Sequence, residues 1–194
     1  VTMIVMGYRG MGGLSGMVMG SVSASVVSHA SCPVVVVRED NHVTDSTKYG
    51  PVVVGVDGSE VSQKATAYAF REAQARGAAL IAVHTWMDMQ VQASLAGLSA
   101  AQSEWADIEK EQSELLTENL KEPREEYPEV EVKKLITRDR PVSALTEAAE
   151  GAQLLVVGSH GRGGFKGMLL GSTSRALLQS APCPMMVVRP DEES

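Results

Sequence analysis

The chain has 194 residues, 44% of them apolar but only 4% aromatic. That is enough for one or two domains around a core that must be aliphatic. A net charge of −7 argues against a nucleic-acid binder held by phosphate contacts, and no run of about 18 apolar residues is present to span a membrane. Cys32 and Cys183 lack CxxC spacing and a nearby histidine. They therefore argue against zinc and fit a reducing cytoplasm.

In chain order, Val1–Met6 reads as a buried strand, followed by a glycine-rich stretch to Gly20-Ser21, a helix, and the apolar run Val34–Val37. Glu39–Gly50 is polar, and 41–50 reads as a linker. Val52–Val56 is a β-branched run typical of a buried parallel strand. Ser59 then N-caps a helix to about Arg76, which Gly77 terminates. Ala78–Trp86 is the next strand. A helix from Ser99 to about Lys121 carries a Ser99/Gln102 capping box and places Trp105, Ile108, Leu115 and Leu120 near one face. Val130–Ile136 is a strand, Pro141 opens a helix ending at Gly151, and Gln153–Val157 is a fourth strand. Ser172–Ser180 is the last helix and Met185–Arg189 the fifth strand, with a tail at 191–194. Strictly alternating strands and helices predict a five-stranded parallel sheet with helices on both faces, Rossmann-like, with a ligand beyond the carboxyl ends of the strands.

The acids are local. Residues 104–131 hold eleven acids and three bases, or −8, leaving +1 for the rest. This run reads as a solvated helix face, with an acidic docking surface as the alternative. The methionines (Met3, Met6, Met11, Met17 and Met19 among them) read as gap-fillers rather than a redox or metal array.

An internal repeat organises the chain. Val5-Met-Gly-Tyr-Arg-Gly10 matches Val156-Val-Gly-Ser-His-Gly161, Gly20-Ser21 matches Gly171-Ser172, and Cys32–Arg38 matches Cys183–Arg189, always at an offset of 151. A constant offset without a gap is not chance. Residues 51–190 read as one complete unit and residues 1–40 as the C-terminal part of another, in a fragment of a tandem protein.

The stretch Gly158-Ser-His-Gly161-Arg-Gly163-Gly164-Phe-Lys-Gly167-Met-Leu-Leu-Gly171-Ser172-Thr173 leaves a strand and enters a helix. Glycines let backbone N–H groups approach an anion, and the helix start adds free N–H groups and the positive dipole end. Ser172 and Thr173 offer hydroxyls; Arg162 and Lys166 offer cations. Charge-assisted bonds at roughly 1.5–3 kcal/mol each would hold a triphosphate. The pattern is neither Walker A nor GxGxxG, and on glycines alone a flexible surface loop is the alternative.

Gly158-x2-Gly161-x9-Gly171-Ser172 resembles the nucleotide loop of the ATP-binding class of the universal stress protein family. Val56-Asp57-Gly58-Ser59, Val83-His84-Thr85 and Ala181-Pro-Cys-Pro184 resemble that family in order and place. The resemblance implies ATP as ligand, with or without Mg2+. It places Asp57 and Gly58 at the ribose or phosphate side, the backbone of Thr85 at adenine, and Gly158, Gly161, Arg162, Gly171, Ser172 and Thr173 at ribose and phosphates. It also implies a homodimer or inter-repeat pairing through the last strands, Val34–Val37 and Met185–Val188. The first copy keeps Gly7-x2-Gly10-x9-Gly20-Ser21 but has Met11 and Ser15 where Arg162 and Lys166 stand.

Asp57 also suits a turn that caps the first helix. His84 reads as strand-end packing before catalysis, and His160 as either a phosphate contact or a solvated side chain. With no evident base or metal cluster, the expected function is a nucleotide-dependent sensor or regulator in the stress response. A slow ATPase or nucleotidyl-transfer enzyme, in which Asp57 holds Mg2+, and a scaffold with a vestigial site are the alternatives.

Overall fold

The computed structural model describes residues 2–9, 19–41, 49–86, 102–162 and 169–190, with side chains in 102–106 excepted. Val1, Gly10, Met11, Ser15, Met17, most of the 41–50 linker, Ser99, Gly163, Gly164, Lys166, Gly167, the Trp105 side chain and the 191–194 tail lie outside the described residues.

The elements are β1 (Ile4–Gly7), α1 (Ser21–His29), β2 (Val34–Val37), β3 (Val52–Gly55), α2 (Glu60–Arg76), β4 (Leu80–Thr85), α3 (Gln102–Glu126), β5 (Val132–Thr137), α4 (Pro141–Ala148), β6 (Leu154–Gly158), α5 (Ser172–Ser180) and β7 (Met185–Val188). They form one α/β sheet in the order β1-β2-β7-β6-β3-β4-β5. The expectation of five parallel strands is corrected. The sheet has seven strands and is mixed, because β2 pairs antiparallel to β7 while every other pair is parallel. The physical reason is the apolar runs Val34–Val37 and Met185–Val188. Each would otherwise present an open ladder to water, and each satisfies the other.

In that pairing Val34 faces Val187, Val35 faces Met186 and Val36 faces Met185. Val35 and Met186 are themselves 151 residues apart, so the seam has a local two-fold axis through this pair. The repeat also extends to hydrogen bonds. Ile4 N–H donates to Pro33 O at 2.9 Å as Leu155 does to Pro184 O at 2.9 Å, and Tyr8 donates to Val37 O at 2.8 Å as Ser159 does to Val188 O at 2.7 Å.

Alternate strand residues face opposite cores, as a sheet covered on both faces requires. Val53, Leu155, Val157, Met185 and Val187 pack with Val27, Leu145, Leu177 and Leu178 of α1, α4 and α5. Val52, Val54, Leu154, Val156, Met186 and Val188 pack with Ala65, Ala69, Phe70 and Ala73 of α2 and Leu116 and Leu120 of α3. The buried stripe of α3 is Gln112-Leu116-Leu120, four residues apart on one face, while Leu115 is only half-buried. This helix runs past the expected Lys121 to Glu126 with Pro123 inside its last turn. The Pro123 carbonyl is still used, accepting from Tyr127 N–H at 2.9 Å. Cys32 and Cys183 are free thiols, and burial pushes Cys183 up to about 12, so it stays protonated.

Ser59 caps α2 by accepting from Ser62 N–H at 3.2 Å, and Gly77 ends it in the left-handed region at φ 59°. A Cβ at Gly77 would meet nothing within 4 Å, so substitution there carries backbone strain alone. Gly77→Ala is therefore expected to lower the unfolding free energy by about 1 kcal/mol, and Gly77→Asn by less. Denaturant midpoints check this; an alanine variant as stable as the parent would refute it.

Candidate nucleotide site at the carboxyl edge of the sheet

The chain runs from β3 outward to β4 and β5, then returns to β6 and β7 on the other side. β3 and β6 therefore flank the point where strand order reverses, and the turns leaving them meet there. Asp57 follows β3. Its Oδ1 accepts from Ser59 N–H at 2.9 Å and from the Ser59 hydroxyl at 2.6 Å, a turn that leads into the Ser59 cap of α2. Its Oδ2 crosses to the loop after β6 and accepts from Arg162 N–H at 3.0 Å. The helix-cap reading and the site reading of Asp57 thus describe one carboxylate with two oxygens in two jobs.

Small residues make this crossing possible. A Cβ on Gly161 would run into Asp57 Oδ2, and one on Gly58, which sits at φ 79°, would lie 2.6 Å from the Arg162 guanidinium. A Cβ on Gly158 would stand 2.9 Å from Val61 of α2. Asp57, Gly58, Gly158, Gly161 and Arg162 are therefore brought together. Arg162 reaches Asp57 through its backbone, which the expectation of a purely cationic side-chain role did not include.

The far end of the loop returns to the same place. Gly171 N–H donates to Ser159 O at 2.7 Å, and Ser174 Oγ donates to Gly158 O at 2.7 Å. Gly171 is the N-cap of α5 and makes no side-chain cap bond, so the first turn keeps backbone donors for another acceptor. Ser172 is exposed and Thr173 half-buried in that turn. His160 Nδ1 lies 3.0 Å from the Ser159 hydroxyl. Thr85 ends β4, the strand next to β3, and its neighbour His84 reaches Val56 just beyond β3.

Ser62, Ser174 and Gln112 were missed from the sequence, whereas His84 is buried at a strand end as expected. Ser62 Oγ accepts from Gly58 N–H at 3.1 Å. Ser174 was within reach of the repeat: Ser23, 151 residues earlier, likewise donates to Gly7 O, at 2.9 Å.

Burial pushes the Asp57 carboxyl up, but the bonds from the Ser59 hydroxyl and backbone and from Arg162 outweigh it and hold the group below its ordinary 3.8. A depressed folded value stabilises the fold above the unfolded value, and that stability is lost as pH falls through the folded one. Asp57→Asn should therefore be less stable than the parent at neutral pH, with a deficit that shrinks as pH drops below 3.8. Urea midpoints of both proteins at pH 7 and near pH 3 decide it; a deficit independent of pH would contradict the assignment.

The sequence profile of the universal stress protein family matches residues 1–38 and 48–189. The chain belongs to this family. A universal stress protein of Mycobacterium tuberculosis strain H37Rv is 47% identical over 189 residues, 97% of this chain and 59% of that protein. The chain thus spans about three fifths of the curated relatives it matches. The crystal structure of a universal stress protein from Archaeoglobus fulgidus aligns over 100% of this chain and 62% of its own, at 25% identity and a TM-score of 0.63. A universal stress protein in complex with cAMP aligns over 72% of this chain and 96% of its own, at 27% identity and a TM-score of 0.50. In this universal stress protein no group of three His, Cys, Asp or Glu side chains able to hold a metal occurs among the described residues, and none of their helices is long and apolar enough to cross a membrane.

Proposed function

We propose that this chain binds ATP in the crevice between the exits of β3 and β6 and serves as a nucleotide-dependent sensor or regulator in the stress response. The observation that carries this reading is the junction of Asp57 with the glycine loop, where Gly161 approaches the carboxylate so closely that no side chain fits. A nucleotide-bearing relative of the same fold supports the ligand class.

The residues fit the ligand. Gly158 and Gly161 let the main chain come close to a ligand with no side chain in the way, and the uncapped start of α5 with Ser172 and Thr173 suits phosphate oxygens. The Arg162 guanidinium over Gly58 adds a cation. Asp57, held ionised, would repel bare phosphate, so its partners are ribose hydroxyls or a Mg2+ carried by the nucleotide. The backbone of Thr85 faces the base. Residues 51–190 form the complete nucleotide unit of a tandem protein, and residues 1–40 the closing part of a second.

Mass spectrometry of the denatured, purified protein tests this by asking whether ATP, AMP or nothing is released. Calorimetry with ATP on the parent and on Asp57→Ala follows, with a loss of affinity expected in the variant. Phosphate release over hours separates a sensor from an ATPase. Neither co-purified nucleotide nor measurable ATP affinity would sink the proposal and favour a scaffold.

A further inference from the structure

His84, near the end of β4, is 2% exposed, and both of its ring nitrogens have a partner. Its Nδ1 lies 2.6 Å from Val56 O, and its Nε2 lies 2.9 Å from the Gln112 Oε1 position on α3, where the amide turned end for end presents its NH2 to a neutral ring. A carbonyl only accepts, so Nδ1 carries a proton and donates to Val56. Val56 is the last residue before Asp57, and its own N–H donates to Val83 O at 2.8 Å. The residue that launches the Asp57 turn is thus held on both sides by β4, once by main chain and once by imidazole.

Thr85 follows His84 directly. One ring therefore connects the exit of β3, which carries Asp57, to the exit of β4, which carries Thr85. Gln112, itself 4% exposed, presses on the ring from α3. Stability alone does not call for this arrangement. Even with both nitrogens partnered, a buried imidazole and amide give up their hydration, where a leucine would simply fill space.

We propose that His84 is a positioning residue of the nucleotide site: a strut that sets the Asp57 turn relative to Thr85, with Gln112 orienting its ring. This rests on the nucleotide-binding reading above. The geometry makes the two ring nitrogens separable. His84→Asn puts an amide nitrogen where Nδ1 stands and keeps the bond to Val56. His84→Gln reaches toward Gln112 and abandons Val56. His84→Leu keeps volume and makes neither bond.

Two measurements on the full chain test the strut. In calorimetry, His84→Leu and His84→Gln should bind ATP about tenfold more weakly than the parent, the loss expected for one buried bond, and His84→Asn should recover most of that loss. In amide hydrogen exchange without nucleotide, residues 57–59 should exchange faster in the leucine and glutamine variants and return toward parental rates in the asparagine variant. Equal values in all three variants, or asparagine behaving as leucine, would overturn the proposal. If His84→Leu fails to fold, the glutamine–asparagine contrast decides alone. If the parent binds no ATP, the functional reading fails while the exchange rates still judge the strut.

Discussion

Gly161→Ala should weaken ATP binding by roughly 10–100-fold, the consequence of losing one charge-assisted bond of about 1.5–3 kcal/mol. The new methyl group would occupy the space of Asp57 Oδ2. That oxygen belongs to a side chain, but not a free one: the other oxygen is held by two donors from Ser59, and Oδ2 by Arg162 N–H. The carboxylate cannot swing aside without giving up the turn into α2. The loop must retreat instead, taking Arg162 from Gly58 and the main-chain donors from the ligand. Gly161 is exposed and lies outside both cores, so thermal stability should change little while affinity falls. Calorimetry and a melting curve on the same preparation separate the two effects. Affinity within twofold of the parent would mean that the loop does not depend on this close approach.

The largest effect on stability is expected at Phe70. The ring is fully buried in the α2 layer, with its centroid 6.2 Å from that of Tyr127, and its neighbours Val52, Val54, Leu80, Leu116 and Leu120 are already close-packed. Phe70→Ala removes the apolar contact and leaves a hole among buried side chains held by two strands and two helices. A loss of about 3–5 kcal/mol follows, and a fall in Tm of roughly 6–20 °C for a protein of this size. Phe70→Leu, which keeps most of the volume, should cost less than half of that. A Tm for Phe70→Ala within about 2 °C of the parent would show that this core yields more readily than its packing implies.

The alternation of strands and helices was legible because the buried strands are short aliphatic runs, and those that carry the site end in glycine at Gly55 and Gly158. The helix ends at Ser59, Gly77 and Pro141 follow from local capping chemistry. The two turns that build the site were legible for the same reason. Three features were not. Pairing of the last strands was implied by the family resemblance, but the antiparallel sense of β2 against β7 was not, because periodicity does not encode the relative direction of distant segments. The inward face of α3 was misjudged because Gln112, a polar residue, belongs to it, and only the partner His84 explains why. Arg162 was read for its charge, whereas its main-chain N–H makes the decisive contact with Asp57.

The two-fold axis through Val35 and Met186 has a consequence for assembly. Val34–Val37 occupies this strand seat, and by the offset of 151 a second copy's Met185–Val188 would fit it in the same register. What favours the resident strand is that it arrives on the same chain, at an effective concentration of the millimolar order for a short tether. Severing that tether would turn a permanent occupant into a dissociable one, and the seat would then be open to competition from any protomer carrying the matching segment.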